Sequence, residues 1–269
     1  MPYGIGYGRR VPRYTARGRR NFIYGGRQSV PYAVYKNRKD LMRLKPEKKY
    51  KDFAYGASGT SFSIPNNLTE WTTSTQVKPN LPATYNGSFS ALQPGSGHDQ
   101  RIGNKVRALS LVVNGTVTMP VQAADSTADV APTIKIVLAN KVDADGDVGN
   151  PTQLFTNPSG VNETVTVPLR NKDYMKDWEI LAETTFTMPM PPMANHSGAA
   201  SGLVQGGVDV PWTLSKYWKN GKIIKYLEDA TAGTEADVVR NNMCIFVNQG
   251  NSGHTCKMYY NARLTYTDV

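Results

Sequence analysis

An all-β fold, a two-sheet antiparallel sandwich, is what this sequence predicts, and three observations lead there. Thr, Val, Tyr and Asn are abundant while helical runs of Leu, Ala, Glu and Lys are missing, a balance that suits pleated, half-buried strands. Several segments alternate apolar and polar residues with a period of two. Between them lie stretches rich in Gly, Pro, Asn and Asp, which read as loops.

The first segment cannot join such a core. Residues 1–51 hold 15 Lys/Arg against Asp40 and Glu47, a net of +13, while the remaining residues net −3. Like charges repel, and there is too little apolar surface here to offset the entropy of ordering. The segment therefore reads as a disordered arm that needs a polyanion, of which nucleic acid is the usual one. Arg9, Arg10, Arg13, Arg17, Arg19, Arg20, Arg27, Lys36, Arg38 and Lys39 occur without a single acid among residues 1–39. Tyr14, Tyr24 and other aromatics are interleaved with them. Guanidinium forks grip phosphates, and rings stack on unpaired bases, so the mixture suits a single-stranded nucleic acid. A second cluster, Arg43, Lys45, Lys48, Lys49 and Lys51, closes the arm, and the body is expected over residues 52–269.

Along the body, residues 105–119 alternate, with Leu109, Leu111, Val113, Val117 and Met119 on one face. Residues 133–141 place Ile134, Ile136 and Leu138 together. Residues 177–188 place Trp178, Ile180, Ala182, Phe186 and Met188 on one face. Residues 241–248 form a nearly continuous apolar run around Met243, Ile245, Phe246 and Val247. Residues 257–267 alternate most cleanly, with Met258, Tyr260, Ala262, Leu264 and Tyr266 facing in. Weaker strands are expected near 60–76, 85–92, 162–168 and 209–226. Eight main strands in two antiparallel sheets with long loops, such as 143–160 and 189–208, make a single eight-stranded jelly roll.

Chemistry is sparse. His98, His196 and His254 lie in Gly/Ser-rich loops, none at metal-ligand spacing from another His or Cys. No nucleophile elbow, phosphate loop or dinucleotide fingerprint occurs. The acidic run Asp143–Asn150 places Val148 where a calcium loop needs Gly and reads as a turn. No catalytic residue, metal or cofactor is assigned. Cys244 and Cys256 are expected to be buried thiols of a protein made in a reducing cytosol. The N-terminus has no apolar core of a signal peptide, and no stretch reaches the length of a membrane span.

The arm also carries an import pattern. Arg27 precedes Pro31-Tyr32 by a short spacer, which looks like a proline-tyrosine nuclear import signal, and Arg17, Arg19 and Arg20 add a basic run. A host import receptor is therefore a candidate partner.

The ordered series of body segments is familiar. Gln100-Arg101-Ile102-Gly103-Asn104-Lys105-Val106 opens a strand, followed by Ile136–Lys141, Asn171–Leu181, Asn241–Val247 and the ending Arg263-Leu264-Thr265-Tyr266-Thr267-Asp268. Over roughly residues 85–269 this resembles the capsid proteins of small circular single-stranded DNA viruses that encode a replication initiator, the group including circoviruses and geminiviruses. One departure is Asp177-Trp178, where the family often has Arg-Phe or Arg-Tyr. The resemblance implies a jelly roll, sixty copies in an icosahedral shell, an arm directed at single-stranded DNA, and a location in the virion and in the host nucleus during assembly. The alternatives are the coat of a satellite-type RNA virus, a non-assembling single-stranded nucleic-acid binding protein and a carbohydrate-binding jelly roll. A body netting −3 counts against the second, and an arm without purpose against the third.

Overall fold

The computed structural model describes residues 46–55, 61–65, 71, 76–77, 88–119, 122–123, 131–145, 151–156, 166–189, 194–195, 203–205, 207–228, 230–250 and 255–269. The chain divides into Met1–Pro46 and Glu47–Val269, and all but one of these residues belong to the second unit. Residues 1–45 of the expected arm lie outside the described residues, and its last four residues are in a strand.

Among the described residues the strands are, in order, β1 (Lys48–Tyr55), β2 (Phe62–Ser63), β3 (Lys105–Met119), β4 (Gln122–Ala123), β5 (Thr133–Asp143), β6 (Phe155–Thr156), β7 (Leu169–Arg170), β8 (Trp178–Thr187), β9 (Ala194–Asn195), β10 (Leu203–Gln205), β11 (Val208–Tyr226), β12 (Val238–Gly250) and β13 (Lys257–Asp268). A short helical turn, Pro151–Leu154, precedes β6, and another, Glu235–Asp237, precedes β12. The expected body boundary after Lys51 falls inside β1, which pairs along its whole length with β13.

The strands hydrogen-bond in the order β1-β13-β3-β11-β12-β5-β8, all antiparallel. The link between β11 and β12 is only two residue pairs, Lys225 with Arg240 and Tyr226 with Val238, broken by a bulge. It is a corner, and it separates a first sheet β1-β13-β3-β11 from a second sheet β12-β5-β8. Gln76 bridges Phe246, and the Val77 amide donates to the Ile245 carbonyl at 3.0 Å, so residues 76–77 take the fourth position of the second sheet. One apolar cluster fills the space between the sheets, joining Leu111 and Val113 of β3 and Leu264 of β13 to Ile136 of β5, Ile245 of β12 and Met188. The molecule is thus the two-sheet antiparallel jelly roll that the alternation implied.

The details of alternation depart from expectation at two bulges. In β3, Leu109 is skipped by both neighbouring ladders, so the inward phase changes from Val106 and Ala108 to Leu111, Val113 and Val117. Leu109 is left half-buried where an inward position was expected. In β8, Leu181 is the extra residue: Ala139 faces Ile180 while Leu138 faces Ala182. The expected single face is split there. Ala182, Phe186 and Met188 join the central core, whereas Trp178 and Ile180 turn to the opposite side. A bulge adds one residue to one strand only, and every side chain beyond it changes face.

That opposite side is covered. Trp71, Leu154, Phe155, Trp178, Val137, Ala139, Cys244 and Phe246 form a second apolar cluster on the outer face of β12-β5-β8. Trp71 and Phe155 rings lie 4.9 Å apart, and Trp178 packs edge-on against Phe246. β5 and β12 are therefore buried on both faces, which explains the nearly continuous apolar run seen in their sequences. β13 alternates as expected, with Met258, Tyr260, Ala262, Leu264 and Tyr266 buried. Both cysteines are buried, Cys244 in the second cluster and Cys256 in the first. Of the weaker candidates, β2 falls within 60–76 and β11 covers 209–226; the described parts of 85–92 and 162–168 hold no strand.

Candidate nucleic-acid interface

Most of the predicted phosphate-binding and import residues, from Arg9 to Lys45 and including Pro31 and Tyr32, lie outside the described residues. Lys48 and Lys49 are placed, and they differ sharply. Both sit at the start of β1, where successive side chains point to opposite faces. Lys48 is exposed on the outer face of the first sheet. Lys49 turns inward and is buried, its ammonium 2.8 Å from Asp268 Oδ2 and 3.1 Å from the Gln100 carbonyl. Lys51, also on the inward side, donates to Asp99 Oδ2 at 2.8 Å. That hydrogen bond holds the Asp99 carboxyl below the usual carboxylate range. Two lysines of the second basic cluster thus have carboxylates of the body as partners.

The segment before β3 is built around Arg101. Its buried guanidinium donates to the carbonyls of Leu92, Ala230 and Gly103, and lies 4.1 Å from the centre of the Tyr226 ring. Gly103 takes a positive φ of 79°, a turn that a side chain would strain. This clamp delivers the chain into β3 with Lys105 and Arg107 on the outer face and Val106 and Ala108 on the inner one.

The outer face of the first sheet can be read row by row from the registers. At the end where β1 begins, Lys105 of β3 stands opposite Lys225 of β11. The next row is Lys48, Thr267, Arg107 and Ile223, and the one after it Tyr50, Thr265, Ser110 and Tyr217. None of these three rows contains an acid. Then come Asp52, Arg263, Val112 and Ser215, followed by Ala54, Asn261, Asn114 and Thr213. Arg263 and Asp52 form a two-pronged ion pair with both contacts at 2.6 Å, which holds the Asp52 carboxyl below its ordinary range. Arg263 also lies 4.7 Å from the centre of the Tyr50 ring. Lys48, Lys105, Arg107 and Lys225, by contrast, make no ion pair with any described residue.

β11 makes an excursion beside this end. Its register with β3 breaks between Tyr217 and Lys222, leaving residues 218–221 without partners on β3, with Trp218 packed against the central core. Gly221 takes a positive φ of 71°, and a Cβ there would sit 2.2 Å from the Arg107 stem. The missing side chain lets Arg107 lie against the loop.

Sequence reasoning missed Lys105, Arg107 and Lys225 as a group. The alternation expected over residues 105–119 put Lys105 and Arg107 on the same face as Leu109; the bulge at Leu109 turns them outward, and the pairing of β3 with β11 that sets Lys105 opposite Lys225 was not written in either strand alone.

Among the described residues no group of three His, Cys, Asp or Glu is arranged to hold a metal ion, and no helix is long and apolar enough to cross a membrane. His98 stands beside Tyr50, ring centres 5.3 Å apart, at the exposed margin of the first sheet.

Comparison with known proteins adds a structural likeness. No family model matches the chain, and no curated protein matches it. Among solved structures it is similar to one described as "Crystal structure of 60-mer BFDV Capsid Protein", over 83% of this chain and 93% of that one, at 8% sequence identity and a TM-score of 0.26.

Proposed function

We propose that this chain is a viral capsid protein that assembles into a small closed shell and packages a single-stranded DNA genome through its basic N-terminal arm. The observation that carries the reading is the division of charge: +13 in residues 1–51 preceding a body of net −3 folded as a jelly roll. A rigid slab with a polycation at one chain end suits a wall whose arms neutralise phosphate and release counterions. Lys49 and Lys51 already face Asp268 and Asp99, which leaves a net of eleven charges per arm for the cargo. Over sixty copies, the number implied by the family resemblance, that offsets about 660 phosphates. The interleaved tyrosines favour unpaired bases. The Arg27–Tyr32 segment and the run from Arg17 to Arg20 serve nuclear entry before the genome covers them.

The test is to express the full chain, image it by electron microscopy and treat co-purified nucleic acid with nucleases. Uniform particles protecting single-stranded DNA are expected. A monomer at every salt concentration would refute the assembly. Deleting residues 1–39 should leave a folded body that retains no nucleic acid, and fusing them to a fluorescent protein should send it to nuclei.

A further inference from the structure

We infer that the β1-starting end of the first sheet's outer face is a second binding surface for single-stranded nucleic acid, built by Lys48, Lys105, Arg107 and Lys225 with Tyr50 and Tyr217. The inference deepens the packaging role proposed above and rests on it for the identity of the cargo. It assigns a cargo contact to the body, whose net charge of −3 would otherwise make it a passive wall.

Four features point to this ligand. First, the cations are segregated: three successive rows of the face carry four of them and no acid. Second, Lys105 and Lys225 are register partners on the same face, and like charges directly opposite destabilise a sheet. No carboxylate among the described residues relieves them. An arrangement that costs folding energy and has no partner inside the fold fits a polyanion from outside. Third, the next row exposes two aromatic rings, Tyr217 at 70% and Tyr50 at 42%. They flank Thr265 and Ser110 across four strands, about 14 Å apart. Tyr50 is steadied by the Arg263 guanidinium on its ring, and Arg107 by its seat against Gly221. Cations for the backbone and rings one row away, about 7 Å along the strands, are the two components that bind single strands without reading sequence. Fourth, Lys48 is the first residue of β1, so the chain passes from the arm directly into this surface.

A duplex cannot offer its bases to the tyrosines, so the two components separate in a binding assay. The full chain is dispersed into subunits and titrated with fluorescent oligothymidylate and with a duplex of equal length over a series of salt concentrations. The triple variant Lys105→Ser, Arg107→Ser, Lys225→Ser should bind oligothymidylate more weakly and lose about 2 from the log–log salt slope, at about 0.7 per contact. Tyr217→Ala should weaken oligothymidylate binding by about 5- to 150-fold while leaving the slope and the duplex affinity unchanged. Lys225→Ser alone should lose about 0.7 of slope, and without nucleic acid its melting temperature should hold or rise, because one member of a repelling pair has gone. A folded triple variant with wild-type affinity and slope overturns the inference and leaves the arm as sole binder. So does a triple variant that binds normally but no longer forms particles, which would assign the surface to contacts between copies. Particle formation by the full chain is scored separately, so the packaging reading can stand when this surface fails.

Discussion

Lys48 and Lys49 are neighbours of identical chemistry, and their substitutions should act on different properties of the protein. Lys49→Met keeps the apolar stem and removes the ammonium. It takes away one charge-assisted contact to Asp268 at 2.8 Å and one to the Gln100 carbonyl at 3.1 Å. Breaking a buried ion pair costs about 3–5 kcal/mol when the remaining charge is sealed from water. The Asp268 side chain is 24% exposed and also accepts from the Ile102 amide at 2.9 Å, so it is partly rehydrated and partly held. The cost should therefore fall to about 2–3 kcal/mol, near the range of hydrogen bonds to charged groups. For a body of this size that lowers the melting temperature by roughly 5–10 °C. Lys48→Met removes an exposed charge and should shift stability by less than about 0.5 kcal/mol. Its effect should appear in binding, as a loss of about 0.7 in the salt slope for a single strand. The assay is thermal unfolding of each variant at high salt, paired with salt-dependent oligothymidylate titration below the midpoint. Equal melting temperatures for Lys49→Met and wild type, or a slope change in Lys49→Met but not in Lys48→Met, would refute the assignment of faces along β1.

Three further outcomes follow from the packing and titration of the body. Gly115→Ala would place a Cβ 2.4 Å from the Trp212 ring and 2.5 Å from the Tyr259 carbonyl, so it should destabilise by about 1–3 kcal/mol in a urea melt, even though alanine is small. Asp52 and Asp99 both titrate below their ordinary values, the first chiefly through its hydrogen bond to Arg263 and the second through Lys51. Their contribution is therefore complete above the unfolded carboxylate pKa and is lost as the pH falls through the folded values; amide exchange in β1 should accelerate below about pH 4 before the second sheet responds. Burial pushes the phenols of Tyr226, Tyr260 and Tyr266 upward, so they stay protonated when unfolded tyrosines ionise. Stability should fall as pH rises past about 10, and their absorbance change should coincide with unfolding rather than precede it.

The strands were legible where a single rule governs them. β13 has one buried and one open face, so each second residue announces its side, and all five expected inward residues are buried. Bulges obey no such rule. Nothing local marks Leu109 or Leu181 as the extra residue; the ladders of the neighbouring strands decide it. The covered outer face of β5 and β12 showed in the sequence only as an excess of apolar residues, because its cover comes from Trp71, Leu154 and Phe155, distant in the chain. The basic cluster ending at Lys51 was read by composition, which cannot tell an ammonium pointing to solvent from one pointing at Asp268. That distinction needs the pairing of β1 with the last strand, a contact spanning most of the chain.

The two sheets also differ in how much change each can absorb. In the sheet that carries β13, Tyr259, Asn261, Arg263 and Thr265 form an open lattice on which one residue can be exchanged without disturbing the core. In β5 the run from Ile134 to Lys141 is buried at every position, packed on one side by the central cluster and on the other by the Trp71 cluster. A saturation survey would thus trace a period of two along β13 and an unbroken intolerant block along β5. Variation in this protein is channelled accordingly. New surface chemistry is accessible on the face bearing the cations and tyrosines, while β5 can change its surroundings on the far side only through the segments that cover it.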